Sequence, residues 1–287
     1  MIIMFTVSQV ISSVILGIVQ ALSEWLPISS KTQVLIASQY LLNLNFSQAY
    51  TFGLFMEIGT VIAAIIYFRK EVWTLIKVLF MKDKSPEGRS MFMYVLVATI
   101  ATGIIGAPIY LIADSITGIS LGVPMIIIGL ILMGDALVIR HSRNKQREGV
   151  NVRKFKDLGL KEYVVIGIAQ GLAALPGVSR SGITTSTLLL MKVEPDESFR
   201  LSFLIGIFAS IAAFALTLIV SKANVMAALS DISLAGMLIA IIVAAVISIF
   251  LIDFLIKIAG RSRIVYLTAA LGMIAITGGV IYMIFGI

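Results

Sequence analysis

The stretch YVVIGIAQGLAALPGVSRSGITTSTLLLMK, residues 163–192, decides the fold. It is apolar, but Pro176 and Gly177 break it into two pieces, each too short to cross a bilayer. Charged sequence of the same character flanks it at 140–161 and 192–200. Both flanks look cytoplasmic, so the segment goes in and returns. The pattern predicts a re-entrant helical hairpin. Irregular backbone at that depth is tolerated only where it is buried in protein or lines a cavity. The break is therefore a candidate site before any motif is consulted.

A second stretch, residues 6–44, carries the same pattern and is broken at Pro27. Gly17-Ile-Val-Gln-Ala-Leu22 matches Gly167-Ile-Ala-Gln-Gly-Leu172. After a one-residue gap, Leu26 and Pro27 match Leu175 and Pro176, and Ser30, Lys31 and Thr32 match Ser179, Arg180 and Ser181. Ile62-Ala63-Ala64 then matches Ile211-Ala212-Ala213. The shared register reads as an internal repeat, 1–140 and 163–287, within one membrane domain, 1–287, its halves joined by a basic cytoplasmic loop. A plain span over 5–25 is the alternative to the first hairpin.

Around the hairpins lie long apolar runs. Five read as spans, at about 47–68, 91–113, 121–140, 234–256 and 264–286, and a sixth at about 200–221 follows Arg200. The chain is 59% hydrophobic and 13% charged, against about a quarter charged in soluble domains, so there is too little polar surface for a water-soluble body. Basic loops at 69–90, 140–161 and 257–263 fall in the cytoplasm; the turns at 114–120 and 222–233 fall outside. On this topology the first hairpin enters from outside and the second from inside. The expected fold is an all-α integral membrane protein: six transmembrane helices plus two re-entrant hairpins in an inverted-topology repeat. Such folds place their sites near the midplane, where broken helices meet. The first charged residue is Glu24, and no cleaved signal peptide is read.

Composition narrows the chemistry. There is no cysteine, which excludes disulfides, thiolate metal sites and cysteine nucleophiles. The one histidine, His141, lies in a charged loop. The net charge of +7 sits in the loops that orient the chain, so no nucleic-acid partner is expected.

The second break carries Arg180, a permanent cation far from any basic interface. An intramembrane arginine is costly and marks function by default, and its planar fork suits phosphate oxygens. Gly177 and Gly182 let backbone approach a ligand, while Ser179, Ser181, Thr184 and Thr185 add hydroxyls. The helix that follows aims its N–H groups at the break, which makes an anion site. The first break carries Gln20, Glu24, Ser29, Ser30, Lys31 and Gln33. Gln20 and Glu24 share a helix face. Glu24 beside two hydroxyls suits a general base, a ligand for a divalent cation, or both; the bland reading is an ion pair with Lys31 or Arg180. Lys31 is either a second phosphate contact or a snorkelling anchor. Glu57, well inside a span, is a partner to these groups or a metal ligand. Asp253 and Lys257 read as a helix ion pair.

At these residues the chain resembles the undecaprenyl-diphosphate phosphatase family, also called the bacitracin-resistance proteins. Gln20 and Glu24 meet the family's Glu/Gln-x-x-x-Glu, Leu26 to Ser30 meet Leu-Pro-x-Ser-Ser, and Pro176 to Thr184 meet Pro-Gly-x-Ser-Arg-Ser-Gly-x-Thr. Gly59-Thr60 through Tyr67-Phe68-Arg69 is also similar, and the likeness covers nearly the whole chain. The resemblance implies a metal-dependent phosphohydrolase that converts a polyprenyl diphosphate to the monophosphate and inorganic phosphate. It also implies a cell-membrane location and a site open to the outer side. One departure stands out: Gln33 occupies the place of the family's usual histidine, and glutamine is neither nucleophile nor base at neutral pH.

On this reading Glu24, Ser30 and Arg180 are catalytic, with Ser30 or a metal-bound water as nucleophile. Ser29, Lys31, Gln33, Gly177, Ser179, Ser181 and Thr184 bind substrate. Gln20, Glu24 and Glu57 hold Mg²⁺ or Ca²⁺, which favour oxygen ligands. The partners expected are the lipid diphosphate and the bilayer, with a homodimer left open. The rival reading is a polyprenyl-phosphate transporter or flippase using the same anion site.

Overall fold

A computed structural model describes residues 7–26, 30–42, 46–115, 122–147, 153–175, 178–220, 234–259 and 264–285. Among them every regular element is a helix: α1 (Val7–Trp25), α2 (Ser30–Leu42), α3 (Phe46–Tyr67), α4 (Arg69–Leu79), α5 (Pro86–Ser115), α6 (Gly122–Arg147), α7 (Leu160–Gly171), α8 (Arg180–Leu190), α9 (Pro195–Val220), α10 (Leu234–Ala259) and α11 (Ile264–Phe285). Short 3-10 turns occupy Phe155–Asp157 and Leu172–Ala174. The breaks at Pro27 and Pro176, with Ser29 and Gly177, lie outside the described residues, but helices stand on both sides of each.

Helices α5, α9, α10 and α11 contain stretches long and apolar enough to cross a membrane. Helices α3 and α6 stand at the two other expected positions, with shorter apolar stretches, Phe55–Tyr67 and Met125–Gly134. Over their full lengths, 22 and 26 residues, both helices are long enough to cross as well. Helix α4, in the basic loop 69–90, was not expected. Its Val72, Leu75, Ile76 and Leu79 recur at helical spacing among charges, and Leu75 turns inward.

Helix α1 packs along α10 and α7 along α5, while α3 meets α9 and α6 meets α11. Glycines set the closest approaches. A Cβ on Gly17 would lie 2.6 Å from the Ala240 carbonyl oxygen of α10, and one on Gly167 2.4 Å from the Ala98 oxygen of α5. Helices α6 and α11 cross reciprocally, with Gly122 against Gly279 and Gly129 against Gly272. Lipid supplies no hydrophobic drive between helices, so close backbone contact at small residues holds such pairs. Large apolar side chains such as Ile104, Leu130, Phe250 and Tyr266 are exposed, as on a lipid-facing surface.

The core around the site is aromatic. Trp25 at the end of α1 meets Phe203 of α9 edge-on at 4.9 Å, and Phe199 follows one turn earlier. This contact pins the end of α1 to α9, beside which α8 begins.

Candidate active site

Five helices converge on one buried charged cluster. Helix α1 brings Gln20 and Glu24, and α2 starts at Ser30 with Lys31 next. Helix α8 starts at Arg180, α3 supplies Glu57, and α9 supplies Gly206 and Ser210.

Glu24 is the hub. Its Oε1 accepts from Arg180 Nη2 in an ion pair, and its Oε2 accepts from Ser30 Oγ at 2.6 Å and Gln20 Nε2 at 3.0 Å. Its side chain is only 3% exposed, so these partners replace water that a carboxylate would otherwise demand. Arg180 also donates through Nη1 to the Gly206 carbonyl at 2.8 Å and to Ser210 Oγ. Ser210 in turn donates to Glu57 Oε2, which lies 3.9 Å from Arg180 Nη1; Glu57 Oε1 lies 3.9 Å from Lys31 Nζ. Two carboxylates and two cations thus form one network. Arg180 keeps Nε–H and one Nη2–H without partners among the described residues, donors that suit phosphate oxygens.

Local sequence explains why Arg180 points here. Ser179 caps α8, its hydroxyl accepting from the Gly182 amide at 3.2 Å. Among the described residues nothing pairs with the first amides of α8, at Arg180 and Ser181, which suits an anion there. Ser181 Oγ donates to the backbone carbonyls of Glu24 and Leu26, at 3.1 and 3.3 Å, and so ties the two breaks together. Thr184 bonds the Arg180 carbonyl at 2.7 Å and Ser202 of α9. Both hydroxyls, read as substrate contacts in the sequence, are bonded here to backbone carbonyls, and Thr184 also to Ser202. Gly206 makes room for the guanidinium: a Cβ there would sit 3.4 Å from Arg180 Cζ.

The structure therefore brings Gln20, Glu24, Ser30, Lys31, Glu57, Ser179 and Arg180 together. Gln33 lies one turn beyond Ser30 on α2, and Ser29 and Gly177 lie outside the described residues. Glu24, Ser30, Ser179 and Arg180 line a chamber of about 20 Å³, room for one water or one phosphate oxygen. Lys31, Glu57, Ala173 and Arg180 separate it from a larger cavity of about 290 Å³ between α5 and α9. Gly206 and Ser210 were missed in the sequence; a serine among alanines in an apolar helix is the only signal, and a weak one.

A divalent cation fits the donor set. Glu24, Glu57, Ser30 and Gln20 offer only oxygen to a cation, and the buried Gln20 Oε1 has no hydrogen-bond partner among the described residues. Among the described residues no three acidic or histidine side chains cluster as a ready-made cage, so a cation there would need phosphate and water oxygens to complete its shell.

Comparison with known proteins identifies the family. The family model of the bacitracin resistance protein BacA matches residues 13–276. The chain belongs to this family. An undecaprenyl-diphosphatase of Saccharolobus solfataricus is 47% identical over 276 residues, 96% of this chain and 97% of that protein. Proteins of the same name from Sulfurisphaera tokodaii and Pyrobaculum aerophilum are 46% and 38% identical, over 93% and 94% of this chain and 96% and 97% of their own lengths.

Proposed function

We propose that this protein hydrolyses the terminal phosphate from a polyprenyl diphosphate, leaving the lipid monophosphate, as the names of its BacA-family relatives indicate for them. The observation that carries the reading is the Glu24 carboxylate, which grips the Ser30 hydroxyl with one oxygen and Arg180 with the other. A base bonded to a nucleophile and oriented by a third group is the arrangement nucleophilic catalysis requires.

Ser30 Oγ attacks the terminal phosphorus while its proton passes to Glu24. The bond from that phosphorus to the bridging oxygen breaks, and the electron pair leaves on the lipid monophosphate. Arg180 and the free amides of α8 stabilise the charge that develops on the phosphoryl oxygens. Glu24 hands that proton to the departing lipid monophosphate; water then attacks the phosphorus on Ser30, and its proton passes through Glu24 to the Ser30 oxygen as that P–O bond breaks. Mg²⁺ or Ca²⁺, held by Gln20, Glu24 and Glu57, would add charge neutralisation on the phosphates. Gln33 takes no proton in this scheme, so the missing histidine is not needed.

Six spans, two hairpins and an inverted repeat are the membrane arrangement proposed. The helix pairing supports it: exchanging the halves turns α1–α10 into α7–α5 and maps α3–α9 and α6–α11 onto themselves, with Gly17 and Gly167 at matching crossings. Residues of α5 and α9 that line the larger cavity run toward the ends assigned to the outer side, which supports an outward-facing site in the cell membrane. The same cavity favours the transporter as second reading.

The test is phosphate release from a long-chain polyprenyl diphosphate by purified protein, with and without Mg²⁺ or Ca²⁺. Loss of release in Glu24→Ala and Arg180→Ala supports the hydrolase. Survival of Ser30→Ala moves the attack from Ser30 to water. Lipid binding through Arg180 without release makes transport the better account.

A further inference from the structure

A further cavity of about 290 Å³ lies apart from the site, at the end of the helices that carries the basic loops. Three elements enclose it: the corner between α3 and α4, the start of α9 and the end of α10. The corner supplies Arg69 and Lys70, and α9 supplies Arg200. Glu71 is the one acid in the lining, and it accepts from Arg200 Nη2 in an ion pair that ties α9 to the corner. Arg69 donates through Nη1 to the Ile66 carbonyl at 3.2 Å. Lys70 has no partner among the described residues. Each arginine thus spends one N–H and Lys70 none, so most of the donors around the cavity are unspent. Asp253, which accepts from the Tyr67 hydroxyl at 3.4 Å, is already neutralised by Lys257 at 2.6 Å. Three cations against one carboxylate leave a surplus of positive charge in the lining.

The rest of the wall is apolar, from Phe68, Ile256 and the Tyr67 ring. Going from there toward the middle of α3 and α10, Ile66 and Ile62, and Phe254 and Phe250, are exposed, a surface that acyl chains cover. On α4, Trp73 is 58% exposed, and Lys77 Nζ lies 5.9 Å from its ring centroid. Large apolar side chains mixed with cations suit the layer where headgroups meet acyl chains. A soluble anion would use the charge and leave the apolar surface bare. We propose that this cavity binds the headgroup phosphate of an anionic phospholipid, whose acyl chains lie along α3 and α10. Basic pockets between membrane helices bind such headgroups by charge complementarity. Cations that only orient the chain have no need to converge; here separate elements bring theirs to one concave space, and Glu71 tethers one of them. The lipid bridges α3, which carries Glu57, and α9, which carries Ser210. The proposal is independent of the hydrolase reading, because no residue lining this cavity belongs to the cluster around Glu24.

Trp73 reports on the cavity. Of the two tryptophans Trp25 is buried, while Trp73 is exposed about one helical turn from Arg69 and Lys70. The full chain, reconstituted in phosphatidylcholine vesicles, is titrated with phosphatidylglycerol brominated in its acyl chains and, separately, with brominated phosphatidylcholine. Quenching of Trp73 in the parent should favour phosphatidylglycerol by about tenfold or more, since each cation near a membrane surface contributes about fivefold. Lys70→Gln, at an exposed residue that gives up no contact, should remove about fivefold of that preference, and Lys70→Gln with Arg200→Gln should bring it to within about twofold of parity. Lys82→Gln with Lys84→Gln, in the same basic loop but outside the cavity, should leave the preference intact. Equal quenching by the two lipids in the parent overturns the proposal, and so does an equal loss in the Lys82 and Lys84 variant, which would mean diffuse attraction. Displacement of phosphatidylglycerol by inorganic phosphate would mark a site for free phosphate and overturn the lipid assignment.

Discussion

Arg180→Ala removes the cation between two buried carboxylates. Glu24 is 3% exposed and Glu57 6%, so neither regains water when the guanidinium leaves. Removing one partner of a buried pair costs about 3–5 kcal/mol, mostly the penalty of the charge left behind. The hydrogen bonds to Gly206 and Ser210 are lost as well, but they share the same cation and do not add in full. If the penalty lies in the stranded charge, neutralising Glu24 must relieve it. Arg180→Ala with Glu24→Gln should therefore recover about 2 kcal/mol or more of the loss in Arg180→Ala alone. The measurement is a double-mutant cycle by reversible unfolding in mixed micelles. Additivity of the two single changes within about 0.5 kcal/mol would refute the reasoning, because it would mean that the ion pair does not hold the two breaks together.

Further outcomes follow from the same contacts. Gly206→Val pushes a branched side chain against the guanidinium, and phosphate release should fall at least about tenfold while the helical content in circular dichroism stays at the parent's level. Gly129→Leu or Gly272→Leu forces α6 from α11 at their crossing and should lower the melting temperature in detergent without changing KM for the lipid diphosphate. Glu162, at the mouth of α7, is held down to about 2 chiefly by its hydrogen bond from Arg153, which also bridges to Val193. Its folded value lies below the ordinary 4.5, so the tether contributes fully above about pH 4.5 and is lost as pH falls toward 2; Glu162→Gln should flatten that part of the melting-temperature profile.

Most of the helices were legible because long apolar runs have few alternatives in a membrane. The expected run at 47–68 is α3 nearly to the residue, and the run at 200–221 falls on α9, which spans Pro195–Val220. Helix α4 was hidden because its apolar residues are spaced among lysines in a loop that the charge pattern marks as cytoplasmic. At the site, Gln20, Glu24 and Arg180 stood out because polar groups in an apolar run demand a reason. Lys31 was read as a phosphate contact or an anchor; here it faces Glu57, which no spacing rule relates to it. Asp253 and Lys257 do form the helix pair expected, at 2.6 Å. Gly206 and Ser210 stayed invisible because their value lies in what crosses them from α8, and a linear pattern carries no crossing.

The pairing of α1 with α10 also bears on how the chain is made. Of the described helices α1 is made before the others, yet its lengthwise partner comes almost last among them, and Glu24 meets its cation only when α8 arrives. Through most of translation a carboxylate and a glycine seam on α1 lack the surfaces that bury them. A nascent chain in that condition resides poorly in lipid, so α1 should settle late, after the second half has inserted, and a ribosome that stops before α10 releases a product with no fold to rescue.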